Sequence, residues 1–117
     1  MSDAYDYFRE GQKRLRTGMT AQATVPLEKA KRLEPQKASI REALGIAYFR
    51  LARWEEAEAE FRAITDELDP TDHYAHYALG RALEQQGRAA EANGHYKLAS
   101  SMKPKSETYS SRILDLE

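Results

Sequence analysis

The sequence predicts an all-α protein, built from three antiparallel helix-turn-helix repeats and closed by a seventh, capping helix. Prolines recur at Pro35, Pro70 and Pro104, at intervals of 35 and 34 residues. Apolar residues are spaced by three and four along the whole chain, as they are in amphipathic helices. No segment alternates with the two-residue period of a strand, so we predict no sheet.

Small residues repeat in the same register upstream of the prolines. The recurring glycines and the alanines twelve residues after them are Gly11, Gly45, Gly80, Ala23, Ala57 and Ala92. A large apolar residue follows each alanine by four positions, at Leu27, Phe61 and Tyr96. Two antiparallel helices approach closely only where small residues lie at the crossing, so this register predicts the three helix crossings.

The period and its residues resemble a known repeat family. The second repeat, with Leu44-Gly45, Tyr48, Ala57 and Phe61, is similar to the W-x2-L-G-x2-Y, A-x3-F, P signature of tetratricopeptide repeats. The resemblance implies a right-handed α-solenoid, with residues 1–117 forming a single domain. Its repeats would span about 4–37, 38–72 and 73–106, with a cap at 107–117.

Helices are expected at about residues 3–16, 20–34, 38–51, 55–68, 73–86, 89–102 and 107–116. Pro26 is the local misfit, because proline removes an internal hydrogen bond, so we expect a bend or a late start in the second helix. In the first repeat, Glu10 and Arg14 replace residues that are usually apolar, as a terminal repeat facing water requires. Tyr109, Ile113 and Leu116 share one face of the last helix and predict a cap, the alternative being a frayed tail.

Composition limits the classes of function. Apolar residues make up 41% and charged residues 32%, which suits a folded soluble chain. The net charge of −1 argues against nucleic acid or a membrane surface as a partner. Without cysteine there is neither a disulfide framework nor a thiolate site. The sequence contains neither a secretion signal nor an apolar membrane span, so we expect a cytoplasmic protein.

Two histidines are candidates for a metal site. His73 and His76 lie near Asp69 and Asp72, a spacing that could gather metal ligands at one helix start. His76, however, occupies the slot of Tyr7 in the first repeat, where a side chain is buried between helices, and Asp72 or Thr71 suits an N-cap. His95 stands alone in the sequence. We therefore favour structural roles and predict no enzyme, no metal and no cofactor.

The resemblance implies that the first helix of each repeat lines a concave surface where partners bind. Its predicted groove residues are Tyr5, Phe8, Arg9, Gln12, Arg16, Ser39, Glu42, Ile46, Phe49, Arg50, Tyr74, Tyr77, Arg81, Glu84 and Gln85. Aromatic residues and arginines are enriched at binding hot spots, although some of these aromatics could simply complete the core. The expected partner is a protein or peptide segment carrying acidic and apolar residues, bound by a monomer. The alternative function is a self-associating structural module that stacks through its terminal or charged faces.

One subfamily grips a C-terminal carboxylate with a lysine and asparagine clamp. The corresponding slots here hold Phe8, Gln12, Ala43, Tyr74 and Ala78. Since the clamp residues are missing, binding of chaperone tails by that clamp is not expected.

Residues 54–72 form an acidic block, with one basic and eight acidic side chains. Its centre is Glu55, Glu56, Glu58 and Glu60, and we favour a solvated outer face for it. The alternative is a second partner surface, or self-association in which the block of one copy stacks on the basic first repeat of another.

Overall fold

The computed structural model describes residues 3–113, which form helices and turns with no strand. The helices are α1 Ala4–Arg16, α2 Thr20–Leu33, α3 Ala38–Arg50, α4 Trp54–Arg62, α5 His73–Gln85, α6 Ala89–Met102 and α7 Glu107–Arg112, with a π-helical segment Ala63–Leu68 continuing α4. Helices α1 to α6 pack as three successive antiparallel pairs, and α7 packs on the last pair. The predicted α-solenoid is confirmed. In the described part of the chain, no helix has the length and apolarity needed to cross a bilayer.

The predicted helix crossings lie where the glycine and alanine register places them. A Cβ atom added to Gly45 would lie 2.6 Å from Cζ of Phe61, and one on Gly80 would lie 2.6 Å from Cε1 of Tyr96. Gly11 meets the side chain of Leu27 in the same way. Leu27, Phe61 and Tyr96 are fully buried, so each glycine admits a large side chain from the second helix of its pair.

The second repeat contains one extra residue, and the structure places it in a wider helical turn. Ala57 precedes Pro70 by 13 residues, whereas Ala23 precedes Pro35, and Ala92 precedes Pro104, by 12. The chain adopts a π-helix at Ala63–Leu68, and the Asp69 amide donates to the Ile64 carbonyl five residues back. A π-turn accommodates an inserted residue without ending the helix. The continuous α-helix expected over 55–68 is corrected accordingly.

Pro26 lies inside α2, which begins at Thr20, so of the two expected alternatives the late start is excluded and the bend stays a prediction. Because proline has no N–H, the Gln22 carbonyl four residues earlier lacks its helical donor. Nη1 of Arg14 on α1 donates to that carbonyl at 3.0 Å, while Nε of Arg14 pairs with Glu10. Arg14, one of the two polar residues that depart from the repeat pattern, therefore supplies the hydrogen bond that Pro26 cannot donate.

We expect Pro26→Ala to raise the free energy of unfolding by about 1 kcal/mol or more, because it restores one backbone hydrogen bond. Arg14→Ala alone should lower that free energy, whereas in the Pro26→Ala background it should cost less. Urea unfolding of the two single variants and the double variant measures this coupling. Additive effects would contradict the assigned role of Arg14.

Ion pairs connect the first and second repeats. Glu60 is 3% exposed, and its carboxylate accepts hydrogen bonds from Lys31 of α2 and Arg41 of α3, each at 3.0 Å. Nε of Arg41 also donates to the Pro35 carbonyl in the turn between the repeats. The expectation of a solvated outer face was wrong for Glu60, because its helix position brings it into the seam between repeats.

A second set of ion pairs connects the second and third repeats. Glu58 accepts hydrogen bonds from Arg62, from Arg88 of α6 and from Gln86, and Arg62 also reaches Glu91 at 2.9 Å. Burial alone would raise the pKa of Glu58, but the hydrogen bonds from Arg62 and Gln86 outweigh it and lower the pKa. The expectation of a solvated face was therefore wrong for Glu58 as well, because its charge is paired within the chain.

Helix α7 covers the third repeat as a cap. Ser106 is its N-cap and accepts from the Tyr109 amide, and Tyr109 is buried against Tyr77 with ring centroids 5.1 Å apart. Ile113, just after the helix, packs against the core. The helix ends at Arg112 rather than at 116, and Leu116 lies outside the described residues.

Candidate functional site

Two neighbouring cavities lie between the first helices of the repeats, one between α1 and α3 and one between α3 and α5. Ile46 and Arg50 line both of them, so the cavities adjoin. Eleven of the fifteen groove residues predicted from the sequence line one or both: Phe8, Gln12, Arg16, Ser39, Glu42, Ile46, Phe49, Arg50, Tyr74, Tyr77 and Arg81.

The cavity between α3 and α5 is aromatic, with a volume of about 160 Å³. The guanidinium carbon of Arg81 lies 5.0 Å above the ring centroid of Phe49, in cation–π geometry. Phe49 in turn packs edge-on against Trp54, with centroids 4.9 Å apart. The buried Phe61, held by the Gly45 crossing, forms part of the lining. This cavity has room for one apolar side chain beside a fixed positive charge.

A row of tyrosines forms the α5 side of the concave face. Tyr74 and Tyr77 pack edge to face with centroids 6.2 Å apart, and Tyr109 of α7 packs on Tyr77. Sequence reasoning assigned Tyr109 to the cap and missed its contact with a groove residue. The signal was present, because Tyr109 follows Tyr74 by 35 residues and so occupies the same slot of the repeat.

The cavity between α1 and α3 is larger, at about 520 Å³, and more polar. Phe8 and Leu15 provide apolar surface from α1, and Glu42 contributes a carboxyl group from α3. Burial raises the pKa of Glu42, and the negative charge of Asp72 raises it further. The charged form of the Glu42 carboxyl group is therefore less stable here than in water.

Four predicted groove residues do not line either cavity, namely Tyr5, Arg9, Glu84 and Gln85. Tyr5 is 62% exposed and borders a separate apolar depression beside Phe8 and Ile40. Arg9 stacks over the Tyr5 ring at 5.7 Å and lines a charged depression along α1. Glu84 accepts a hydrogen bond from buried Tyr96. The first repeat thus contributes fewer of its predicted residues to the two cavities than the second does.

Three arginines lie in the C-terminal halves of the first helices of the three repeats. Arg16 and Arg50 are the last residues of α1 and α3, and Arg81 lies one turn before the end of α5. Within residues 3–113, none of the three forms a salt bridge. Positive charge is favourable at a helix C-terminus, so these side chains are stable without a carboxylate and remain available for one.

The histidines make structural contacts. His73 Nδ1 lies 2.7 Å from the Tyr109 hydroxyl, and Nε2 of the buried His76 donates to the Pro70 carbonyl at 2.8 Å. His76 Nδ1 lies 3.1 Å from His95 Nδ1, so the expectation that His95 stands alone was wrong. Asp72 caps α5 by accepting from the Ala75 amide, as predicted. Over the part of the chain that the structure covers, His, Asp and Glu side chains form no group suited to a metal ion.

Acid should weaken the α5–α6 contact through His95. Burial lowers its pKa below the ordinary value of 6.5, and the facing His76 and Arg62 lower it further, against the opposite effects of Asp66 and Glu91. The unfolded chain therefore binds a proton at this position more readily, so the contribution to stability is complete above pH 6.5 and is lost as the pH falls below it.

This pH dependence is measured by urea unfolding at about pH 7.5 and about pH 5.5, a range in which few carboxylates titrate. His95→Gln removes the titrating group and should flatten the dependence. An unchanged slope in that variant would contradict the assignment.

The sequence profile described as tetratricopeptide repeat matches residues 8–73 and again residues 42–107. No curated protein sequence matches the chain. Solved structures with the same fold include the first TPR of Spaghetti (RPAP3) bound to an HSP90 peptide, with 20% identity over 95% of this chain and 87% of that one, at a TM-score of 0.89.

Two further structures have the same degree of similarity. YrrB, described as a TPR protein with an unusual peptide-binding site, has 20% identity over 95% of this chain and 57% of its own, at a TM-score of 0.89. The Arabidopsis OM64 TPR domain has 18% identity over 94% of this chain and 90% of its own, also at 0.89. The chain thus spans little more than half of YrrB. At these identities the likeness establishes the fold.

Proposed function

Because the chain belongs to the tetratricopeptide repeat family, we propose that it is a protein-interaction module. A peptide or helical segment of a partner protein binds along the concave face, across the two cavities between α1, α3 and α5. The role is binding rather than catalysis, and the array acts as one unit.

The observation that carries this proposal is the α3–α5 cavity. Phe49, Tyr74 and Tyr77 leave an apolar recess on the surface, and Arg81 is held at its side by the Phe49 ring. A large apolar side chain of the partner enters the recess, and an acidic neighbour pairs with the arginine. Aromatic and arginine side chains around a desolvated recess are the usual composition of a binding hot spot.

Solved structures of the same fold support peptide binding as the function. One of the structures described above holds an HSP90 peptide, and another is described by its peptide-binding site. The clamp expected for a C-terminal carboxylate has Phe8 and Gln12 in two of its slots. We therefore propose an internal segment, rather than a chaperone tail, as the bound element.

We expect Tyr77→Ala to weaken binding about thirtyfold, a cost of about 2 kcal/mol, because it empties one wall of the recess. The partner segment is first selected from a displayed random-peptide library against the full chain, and the affinity of the synthesised peptide is then measured by isothermal titration. Arg81→Glu should mainly slow association and reverse its salt dependence.

Circular dichroism and light scattering of each variant separate loss of binding from loss of folding or a change of oligomeric state. Lys97→Glu on the exposed side of α6 is the matched charge-reversal control and should bind normally. The proposal fails if the selected peptides bind Tyr77→Ala and Arg81→Glu as tightly as the unaltered chain.

A further inference from the structure

We infer that the cap helix α7 is coupled to the α3–α5 cavity, because Tyr109 positions Tyr77, whose ring forms one wall of that cavity. Tyr109 itself is not among the residues that line the cavity, so it acts on a bound peptide through Tyr77. This inference rests on the proposed function, since it adds a positioning residue and a means of regulation to the same site.

Within the described residues, three other tyrosine rings pack on that of Tyr77. The centroid of the Tyr109 ring lies 5.1 Å from it, whereas those of Tyr74 and Tyr96 lie at 6.2 Å and 6.1 Å. Tyr74 is only half-buried and lines the cavity as well, and Tyr96 belongs to the crossing at Gly80. The nearest ring therefore comes from the cap rather than from the three repeats.

Tyr109 is itself held in a single orientation. Its hydroxyl group is hydrogen-bonded to Nδ1 of His73, the first residue of α5, at 2.7 Å. Its backbone amide donates to the side chain of Ser106, the N-cap of α7. The side chain is buried, with 9% of its surface exposed. A ring fixed at its hydroxyl end and at its backbone gives Tyr77 a rigid surface on which to rest.

The docking of α7 is nevertheless easy to reverse. The helix has six residues, and an isolated helix shorter than about 12–15 residues is marginal in water. It is therefore helical only while Tyr109 and its neighbours pack on the third repeat. Those neighbours are Ile113, which packs against the core, and Arg112, whose guanidinium lies 3.8 Å from the Glu84 carboxylate. A short element with few buried side chains opens locally at a small cost in free energy.

Opening of α7 changes the cavity while the three repeats stay folded. Without Tyr109, the half-buried Tyr77 ring is free to leave the rotamer in which it lines the cavity. A peptide must then order that ring as it binds, and its apparent affinity falls with the fraction of chains in which the cavity is formed. The coupling is reciprocal, so a bound peptide holds α7 in its docked position.

A double-mutant cycle on the full chain tests this coupling. The affinity of one synthesised, library-selected peptide is measured by isothermal titration for the unaltered chain, Tyr109→Ala, Tyr77→Ala and the double variant. We expect Tyr109→Ala alone to weaken binding about fivefold, or about 1 kcal/mol, which is the cost of ordering one side chain. In the Tyr77→Ala background it should change the affinity by less than about twofold, because the ring that it positions is absent.

Two further variants separate positioning from a general loss of stability. Tyr109→Phe keeps the ring against Tyr77 and removes only the hydrogen bond to His73, so it should retain most of the affinity. Tyr7→Ala is the matched truncation, because Tyr7 packs against the core from α1 and lines neither cavity. It should lower the free energy of unfolding and leave the affinity unchanged. Urea unfolding shows that each variant is folded under the conditions of the titration.

Hydrogen exchange provides a second measurement, which needs no change at Tyr109 and so tests the coupling even if Tyr109→Ala fails to fold. Saturating peptide should slow the exchange of the amides of Glu107–Arg112 by the same factor of about five in the unaltered chain. In Tyr77→Ala, saturating peptide should leave that exchange unchanged. Slower exchange in both chains would mean that the peptide contacts α7 directly, which contradicts the inference.

The titrations can overturn the inference in three ways while the proposed function stands. Tyr109→Ala could bind as tightly as the unaltered chain, it could cost the same with and without Tyr77, or Tyr7→Ala could weaken binding equally. In the first two cases Tyr109 does not act through Tyr77, and in the third the effect is a loss of overall stability. If no library peptide binds the chain at all, the proposed function fails and the inference fails with it.

Discussion

Replacing Gly45 with leucine is expected to lower the free energy of unfolding by about 3 kcal/mol or more, the upper end of the cost of overpacking a core. A Cβ atom alone would come within 2.6 to 2.9 Å of three atoms of the Phe61 ring. Phe61 is 1% exposed and also lines the α3–α5 cavity, so relieving the overlap would push its ring out of the core and toward that cavity. Urea unfolding followed by circular dichroism measures the change.

Gly94→Leu is the matched control for this substitution. Gly94 lies within α6, is exposed and has no atom within 4 Å of an added Cβ. Leucine there should raise the free energy of unfolding by about 0.5–1 kcal/mol, because glycine is a poor helix former. Equal effects of the two substitutions would show that Gly45 does not lie at a close helix crossing.

Glu60→Ala is expected to lower the free energy of unfolding by about 2 to 3 kcal/mol. Removing one member of a buried ion pair commonly costs 3–5 kcal/mol, since the remaining charge is left without a partner. Lys31 and Arg41 retain 24% and 21% exposure of their side chains, so water relieves part of that penalty. The lost stability should come from a weaker contact between the first two repeats, which Glu60 joins through Lys31.

Glu56→Ala provides the control, because it also removes a carboxylate from α4 that pairs with an arginine. Its pair with Arg53 is exposed on both sides, at 47% and 49%, and should contribute less than about 1 kcal/mol. Both variants are compared in urea at the same ionic strength. The role assigned to Glu60 is wrong if the two substitutions cost the same.

The helix crossings could be predicted because their determinants are local and periodic. Gly45 and Phe61 stand at a fixed separation that recurs in all three repeats. Glu60 could have been placed in the seam too, since it lies three residues after Ala57 and four before Ile64, both buried on the same helical face. The charge pattern of the acidic block predicted an exposed position for Glu60, whereas its helical position beside Ala57 and Ile64 predicts a buried one.

The residues that line the two cavities could be predicted from the repeat slots, but the contacts between individual side chains could not. Tyr5 and Arg9 are one helical turn apart on α1 and stack on each other, which keeps them off the α1–α3 cavity. The contact between His76 and His95 joins two helices through side chains 19 residues apart. No local pattern encodes that pairing, because it depends on how α5 and α6 are rotated against each other.

The π-turn at Ala63–Leu68 has a consequence for how the chain can vary in length. The extra residue is taken up before Pro70, so Gly80 and Tyr96 keep the same separation as Gly45 and Phe61. A residue inserted within α5 or α6 would instead rotate everything after it by about 100° around the helix axis. The end of the second repeat is therefore a position where single-residue insertions and deletions can be tolerated during evolution, while the neighbouring helices remain intolerant of them.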